Sequence, residues 1–292
     1  MYKQTLKAIM ALLFSGSATI GLAGNDTMLL HSGWKFRQAG HSEWHPATVP
    51  GAVHTDLMDN GLIEDPYYRL NERSLQWIDK EDWIYEVSFD AGALTRGYEH
   101  IRLEFLGLDT YADVFLNETQ ILTADNMFRR WAAEVKPLLK ERGNVLRIYF
   151  HSPIKKALPQ YESLPYRYEA WNDQADNGGL AGKKLSPFTR KAGYHYGWDW
   201  GPRLVTSGIW RPVKLQGWNS LRLEDVFHHQ LEVSQETARV ETQVEIEAAA
   251  PVENAVITVS DGKRVLGSRS VQLHVGMNRV SVPFTIDNPK LW

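Results

Sequence analysis

A carboxylate between two indoles is the feature of this sequence best suited to chemistry. Trp198, Asp199 and Trp200 are consecutive, and Gly197 and Gly201 flank them. Glycine on either side permits tight turns and close backbone approach. Indole faces cover the apolar C–H face of a sugar ring, while a carboxylate accepts hydrogen bonds from two neighbouring hydroxyl groups. The segment therefore indicates a pyranose-binding site.

The same residues also have a purely structural interpretation. The two tryptophans could fill the interior of a β-sandwich, and Asp199 could cap a turn or pair with Arg203. Composition by itself slightly favours this interpretation, because large aromatic residues usually serve packing. Motifs elsewhere in the chain make the sugar-binding interpretation the stronger of the two.

Other arrangements that could support catalysis or metal binding are weaker. His228 and His229 with His151, or His41 with His45, lack the spacing of a metal site and are better interpreted as solvent-facing strand residues. No Gly-x-Ser-x-Gly segment is present, and the absence of cysteine excludes thiol catalysis and thiolate metal ligands. We therefore expect no metal and no cofactor.

The elements that must position Asp199 are strands. Residues 83–89 and 240–246 alternate between apolar and polar side chains, which is typical of half-buried β-strands. Further strands are predicted at residues 101–105, 112–116, 145–151, 208–215, 221–228 and 280–286. Only residues 57–60 and 135–140 have the pattern of short helical turns. The fold class is therefore predicted to be all-β.

Two sandwiches are predicted along the chain. Residues 24–218 would form a jelly-roll-like β-sandwich, interrupted at 153–207 by a long aromatic loop that we expect to be ordered and packed over a site. Residues 219–292 would form an immunoglobulin-like β-sandwich with a hairpin at Asp261-Gly262. That domain type needs about 100 residues, so we expect the second sandwich, and hence the chain, to be truncated.

The first 23 residues have the pattern of a secretory signal peptide. Lys3 and Lys7 precede an apolar run at 8–14, and Gly21-Leu22-Ala23 resembles a cleavage site. We therefore expect a periplasmic or secreted protein, held together without disulfides because it has no cysteine. The net charge of -3 favours neither a nucleic-acid partner nor a membrane surface.

Five stretches of the sequence share motifs with one enzyme family. They are residues 33–36 with 49–57, residues 65–69 leading to Trp77 and Trp83, residues 105–117, residues 190–213, and residues 288–292. The most specific are Pro-Gly-Ala-Val-His-Thr-Asp-Leu at 50–57 and Gly-Trp-Asp-Trp-Gly-Pro at 197–202. Taken in this order, they resemble the N-terminal domain of family 2 β-mannosidases. Within the first of these motifs, His54 and Asp56 are expected to lock a loop.

The resemblance implies a role for four residues near the aromatic motif. Asp199 and Trp198 would line the subsite for a terminal mannose, and Trp200 would support them. Arg190 would either orient Asp199 through a salt bridge or contact the sugar itself. In this family the sandwich lies beside a (β/α)₈ barrel, and a loop from the sandwich reaches the mouth of the barrel's active site.

The resemblance also implies an activity, namely that of an exo-acting retaining β-mannosidase acting on manno-oligosaccharides or glycans. Such a mechanism needs an acid/base and a nucleophile about 5–5.5 Å apart, and the family carries both in the barrel.

This chain has no alternating βαβα pattern, and Asn117-Glu118 is interpreted as a hairpin turn. We therefore expect the catalytic residues in a missing barrel of the same polypeptide, and no activity from this chain alone. A carbohydrate-binding sandwich without catalysis, or the front of a β-galactosidase or β-glucuronidase, remain as alternatives.

Overall fold

The computed structural model describes residues 26–262 and 264–291, together with a two-residue strand, β1 (Leu13–Phe14). The predicted signal peptide otherwise lies outside the described residues. The chain divides into two units, one formed by residues 26–217 and one that contains residues 218–292 and β1.

The first unit contains two β-sheets. Its strands are β2 (Asp26–Leu29), β3 (Lys35–Gln38), β4 (His45–Pro46), β5 (Trp83–Phe89), β6 (His100–Phe105), β7 (Tyr111–Leu116), β8 (Thr119–Asp125), β9 (Trp131–Glu134), β10 (Asn144–His151) and β11 (Val213–Trp218). One sheet has the order β4-β3-β5-β10-β7-β8, and the other has the order β2-β11-β6-β9. Strand β10 pairs antiparallel with both β5 and β7.

Period-two patterning builds the core of this unit. Along β10, Leu146, Ile148 and Phe150 are fully buried, whereas Arg147 between them is exposed. Buried apolar residues from both sheets form one continuous cluster with them. Burial of such side chains contributes about 1.5–3 kcal/mol each. The alternation read from the sequence therefore corresponds to one buried face along β10, whereas the central strand β5 is buried on both faces over most of its length.

The turn at Asn117-Glu118 connects β7 to β8, as predicted. Both residues have positive φ values, 48° and 71°, which is the geometry of a two-residue hairpin turn. The side chain of Asn117 accepts a hydrogen bond from Val145 N at 2.9 Å and donates one to Leu138 O at 2.8 Å. This pair therefore has a structural role.

Helices are short and few in the described part of the chain. They are α1 (Val53–Asp59), α2 (Gly92–Gly97) and α3 (Pro153–Ser163), with 3₁₀ turns at Asn71–Leu75, Ile78–Lys80, Lys136–Leu138, Ser186–Phe188 and Gly193–Tyr196. The turn predicted at 57–60 lies at the end of α1, and the one predicted at 135–140 coincides with the 3₁₀ turn after β9. Among the described residues, no helix has the length and apolar character needed to span a bilayer.

Residues 153–207 are ordered, but they are less irregular than predicted. The segment opens with α3, whose first turn is capped by Ser152, which accepts a hydrogen bond from Lys155 N at 3.0 Å. The segment has its own apolar cluster, formed by Ile154, Ala157, Leu185, Tyr196 and Val205. This cluster explains why so aromatic a segment is folded.

A buried arginine ties this segment to the sandwich. Arg203 Nη1 donates to Asp79 Oδ2 and to Gln76 Oε1, both at 2.6 Å. Gln76 Nε2 in turn donates to Arg203 O at 2.8 Å. Since the ion pair is buried and the backbone of Arg203 is bonded as well, these bonds help to set the position of the chain that follows the aromatic motif.

The second unit contains two small antiparallel sheets. Its strands are β12 (Leu221–Val233), β13 (Thr237–Ala248), β14 (Val252–Asp261), β15 (Arg264–Leu273) and β16 (Gly276–Asp287), in the orders β12-β13-β16 and β1-β14-β15. Asp261 pairs with Arg264, and Gly262 has a φ of 59°, so a hairpin forms as predicted, although Asp261 is the last residue of β14 and not part of the turn. The all-β fold class, with a jelly-roll-like sandwich followed by a second one, is confirmed as well.

Candidate binding site

A cavity of about 640 Å³ opens on the first unit beside the aromatic motif. Its apolar lining comes mainly from Tyr67, Trp198, Trp200, Pro202 and Leu204. Helix α1 and the segment around residues 194–206 form its two sides. Cavities of this size and character are typical of small-molecule sites, in which a few polar groups orient the ligand.

The two tryptophans of the motif border this cavity. Trp198 is 39% exposed and Trp200 85% exposed, and their rings meet edge to face with centroids 6.0 Å apart. The interpretation in which both fill the sandwich interior is therefore wrong. Asp199 is exposed on the turn between them, although it is not among the residues that line the cavity. Its role in binding a sugar stays a prediction.

Neither arginine considered as a partner of Asp199 pairs with it. Arg190 Nη1 donates to Asp125 Oδ2 at 3.2 Å, and both side chains are exposed. Arg203 is buried in its ion pair with Asp79. The salt-bridge role weighed for Arg190 is therefore wrong for this structure, because β8 supplies a nearer carboxylate. The role of Arg190 as a sugar contact stays a prediction.

The backbone on either side of Tyr196 sets the direction of Trp198. Gly197 has a φ of 113°, a conformation that L side chains rarely adopt. Gln174 N donates to Tyr196 O at 2.8 Å, and Gln174 Nε2 donates to Trp198 O at 2.7 Å. Tyr196 is fully buried beneath the turn. These hydrogen bonds therefore fix the backbone at Tyr196 and Trp198, where the tryptophan pair begins.

We expect Gly197→Ala to displace Trp198 and to lower the free energy of unfolding by about 1–3 kcal/mol. A Cβ at this position would lie 2.6 Å from the side chain of Gln174, in addition to the strain of the positive φ. The matched control is Gly193→Ala, because a Cβ there meets nothing within 4 Å. Thermal unfolding and tryptophan emission measure both effects. Equal behaviour of the two variants would contradict this account of the turn.

A buried ion pair lies behind the polar side of the cavity. Lys191 Nζ donates to Asp109 Oδ2, to Thr206 O at 2.9 Å and to Thr206 Oγ1 at 3.0 Å. Thr206 Oγ1 donates to Asp109 Oδ2 at 2.7 Å and lies 2.9 Å from His195 Nδ1. His195 and Thr206 line the cavity together with His54. The network therefore connects the interior of the sandwich to the site.

Burial and charge keep the two histidines neutral. Burial, followed by the charge of Lys191, lowers the pKa of His54 to about 3 and that of His195 to about 4. Burial acts to raise the pKa of Asp109, but the charge of Lys191 and the hydrogen bonds from Lys191 and Thr110 outweigh it, so this pKa lies below its ordinary value. Near neutral pH the cavity therefore presents uncharged imidazoles above an ionised pair.

Sequence reasoning missed this network and misjudged one of its neighbours. Asp56 does lock a loop, because it accepts hydrogen bonds from Thr48 N at 2.8 Å and from Tyr85 Oη at 2.6 Å. His54, however, faces the cavity. His54 and Asp109 both lie in motifs of the sequence, but only the fold shows that the two residues are close enough for the charge of Asp109 to act on His54.

The histidines weighed as metal ligands have ordinary partners. His151 Nε2 lies 2.7 Å from Asp113 Oδ2, and His228 Nδ1 lies 2.8 Å from Thr242 Oγ1. Across residues 26–262 and 264–291, no three potential ligands form a group that could hold a metal ion.

The chain is similar to known proteins over most of its length. Residues 34–211 match the family described as glycosyl hydrolase 2 galactose-binding domain-like. Beta-mannosidase B of Thermothelomyces thermophilus is 37% identical over 268 residues, which are 90% of this chain and 30% of that protein. Beta-mannosidase B of Aspergillus oryzae is 34% identical over 272 residues, 90% of this chain and 31% of that protein.

Solved structures show the same similarity. The beta-D-mannosidase of Dictyoglomus thermophilum is 39% identical with a TM-score of 0.79, over 91% of this chain and 32% of that one. An exo-chitosanase of Amycolatopsis orientalis shares the fold at 18% identity, with a TM-score of 0.65, over 91% of this chain and 30% of that one. The chain thus spans about 30% of the length of the curated relatives it matches.

Proposed function

The chain belongs to the glycosyl hydrolase 2 family through its galactose-binding domain-like region, and from this we propose that it helps to form the terminal-sugar subsite of a β-mannosidase. The whole protein would be an exo-acting retaining enzyme that removes terminal β-D-mannose from manno-oligosaccharides or glycans. The observation that carries the proposal is the cavity of about 640 Å³ bordered by Trp198 and Trp200, with the exposed Asp199 between them in the sequence.

The chemistry of the cavity suits an uncharged sugar. Indole faces offer apolar surface to the C–H groups of a pyranose, and the exposed carboxylate of Asp199 can accept hydrogen bonds from two adjacent hydroxyl groups. The neutral imidazoles of His54 and His195 add polar contacts without adding charge. A site of this kind can bind and orient a sugar, but it offers no pair of carboxyl groups that could cleave a glycosidic bond.

Catalysis is therefore assigned to another part of the same polypeptide. A retaining mechanism needs an acid/base and a nucleophile about 5–5.5 Å apart, and in a (β/α)₈ barrel such residues lie at strand ends. The relatives are roughly three times as long as this chain, since it covers 30% of one and 31% of another. We expect residues 1–292 alone to hydrolyse no glycoside. Export, proposed from residues 1–23, would place the enzyme in the periplasm or outside the cell.

We expect Asp199→Ala, introduced into the longer polypeptide, to lower kcat/KM for an aryl β-mannoside about 10- to 150-fold. The change removes a charge-assisted hydrogen bond to the sugar, worth roughly 1.5–3 kcal/mol. The matched control is Asp59→Ala, because Asp59 is also exposed and lies on the helix that borders the cavity. It should leave kcat/KM within about twofold of the parent value.

Two outcomes of this assay would contradict the proposal. If Asp199→Ala stays within a few-fold of the parent, the carboxylate does not hold the sugar. Aryl β-galactoside and aryl β-glucuronide are measured in parallel with the mannoside. Preferential turnover of either would keep the reaction class but replace mannose as the sugar.

A further inference from the structure

We infer that His195 binds a sugar hydroxyl group through Nε2, and that the buried residues behind it hold its imidazole in the single tautomer that can do so. This inference rests on the proposed function, because it assigns a ligand contact in the same cavity. In it, Thr206, Asp109 and Lys191 are positioning residues that act through His195. The argument depends on where each hydrogen atom of the network must lie.

The hydroxyl group of Thr206 has three polar neighbours. Asp109 Oδ2 lies 2.7 Å from Oγ1, Lys191 Nζ lies 3.0 Å away and His195 Nδ1 lies 2.9 Å away. A carboxylate can only accept, so the one hydrogen of the hydroxyl group is given to Asp109. An ammonium group can only donate, so Lys191 occupies a lone pair of Oγ1. Since the hydroxyl has no second hydrogen to give, His195 Nδ1 must be the donor.

The number of acceptors around Lys191 supports its protonated state. Its Nζ is within hydrogen-bond distance of three acceptors, namely Asp109 Oδ2, Thr206 O and Thr206 Oγ1. An ammonium group has three hydrogens and satisfies all of them, whereas a neutral amine has only two. The ion pair therefore fixes the direction of the Thr206 hydroxyl, and the hydroxyl fixes His195.

The consequence is a hydrogen-bond acceptor in the cavity. A neutral imidazole with its hydrogen on Nδ1 has a lone pair on Nε2. His195 lines the cavity, and the low pKa of about 4 that burial and Lys191 give it keeps this form over the physiological range. The matching ligand group is a donor, and a sugar hydroxyl is such a group.

A second neutral imidazole, that of His54, lines the same cavity. His54 is only 7% exposed, and its Nδ1 is a buried nitrogen without a hydrogen-bond partner among the described residues. This nitrogen has almost no accessible surface, so His54 contributes to the cavity as an uncharged group and not through a bond from Nδ1. Two neutral imidazoles among apolar walls favour a polyhydroxylated, uncharged ligand. A carboxylate facing Nε2 would be disfavoured, because neither group could donate.

The tautomer itself is measurable on the unmodified protein. We expect ¹⁵N spectra of the histidine-labelled chain at pH 7 to show His195 protonated on Nδ1 and not on Nε2. The spectrum of His195→Gln identifies the signal by its loss. An Nε2–H tautomer, or an imidazolium at this pH, would overturn the inference without any question of misfolding in a variant.

The contact is tested by removing hydroxyl groups from the substrate. In the longer polypeptide, we expect Thr206→Val to lower kcat/KM for an aryl β-mannoside by roughly tenfold, and Thr206→Ser to keep it within about twofold. For one monodeoxy mannoside, Thr206→Val should cause no loss of kcat/KM, because that sugar lacks the hydroxyl group that donates a hydrogen bond to His195 Nε2. Melting temperatures of both variants are measured alongside.

The pattern across the substrates separates this inference from the proposed function. A Thr206→Val loss of equal size on every monodeoxy sugar indicates a structural effect and overturns the inference. Asp199→Ala is assayed on the same panel, and its sensitivity should disappear with a different hydroxyl group. If Asp199→Ala behaves as expected and Thr206→Val does not, only the role of His195 fails. If neither affects hydrolysis of a mannoside, the subsite itself is misassigned.

Discussion

Lys191→Met is expected to lower the free energy of unfolding of the first unit by about 3–5 kcal/mol, which is a large part of the stability of a typical domain. The side chains of Lys191 and Asp109 are 0% and 3% exposed, so water cannot replace the lost partner. Methionine has similar length and leaves little empty space, and the main consequence is a carboxylate buried without its counter-charge. Removal of one member of a buried pair is costly for this reason.

Urea denaturation at pH 7, followed by tryptophan fluorescence, measures this loss. The matched control is Arg96→Met, because Arg96 and Glu141 form a salt bridge whose side chains are 65% and 61% exposed. That change should cost less than about 1 kcal/mol. The double variant Lys191→Met with Asp109→Leu should recover much of the loss, since neither charge remains. Equal effects of Lys191→Met and Arg96→Met would show that the buried pair contributes no more to the free energy of unfolding than the exposed pair.

The strands of both sandwiches could be predicted because their signal is local. In Trp83–Phe89 the alternation of side chains appears in the sequence itself, and the strand has the predicted bounds. The hairpin after β14 was likewise predicted from a turn dipeptide between two apolar runs, although its turn begins at Gly262, one residue later than predicted. A period of two and a turn dipeptide need no information from distant parts of the chain.

Residues 153–207 could be predicted only in part, because tertiary contacts decide their structure. The aromatic content correctly indicated order, but α3 was missed, since Pro159 lies within it and weakens the helical pattern. The helix is stable because Ile154 and Ala157 pack into the cluster beneath the segment. That cluster draws on residues about 50 positions further along the chain, such as Val205.

The candidate site, too, could be predicted only where its residues are neighbours in the sequence. The Trp-Asp-Trp motif is contiguous, and its two tryptophans border a cavity, whereas the sugar-binding role of Asp199 stays a prediction. Lys191 and Asp109 lie 82 positions apart, and Arg190 and its partner Asp125 lie 65 positions apart. No spacing rule connects residues across such distances. The polar side of the cavity could therefore not be predicted from the sequence, because it forms only when two sheets and a long segment pack together.

Acidification is expected to destabilise the first unit through His54 and His195. Their pKa values in the folded protein are about 3 and about 4, below the ordinary value of 6.5. The unfolded chain therefore binds protons as the pH falls below 6.5, whereas the folded protein does not until much lower pH. The free energy of unfolding consequently falls with pH in this range. Between pH 7 and pH 4.5 the two histidines together should remove about 5 kcal/mol.

The comparison that isolates this effect is the pH dependence of a variant carrying His54→Gln and His195→Gln. Carboxyl groups contribute to the parent curve in both directions, because the pKa of Asp79 is raised and that of Asp109 is lowered. Both remain in the variant, so they largely cancel in the difference between the two urea-denaturation curves. We expect the variant to lose stability far more slowly than the parent on acidification, and exposed His41→Gln to follow the parent. Parallel curves for parent and double variant would mean that both imidazoles take up protons in the folded protein. The cavity would then be positively charged in mild acid, and its preference for an uncharged ligand would be lost there.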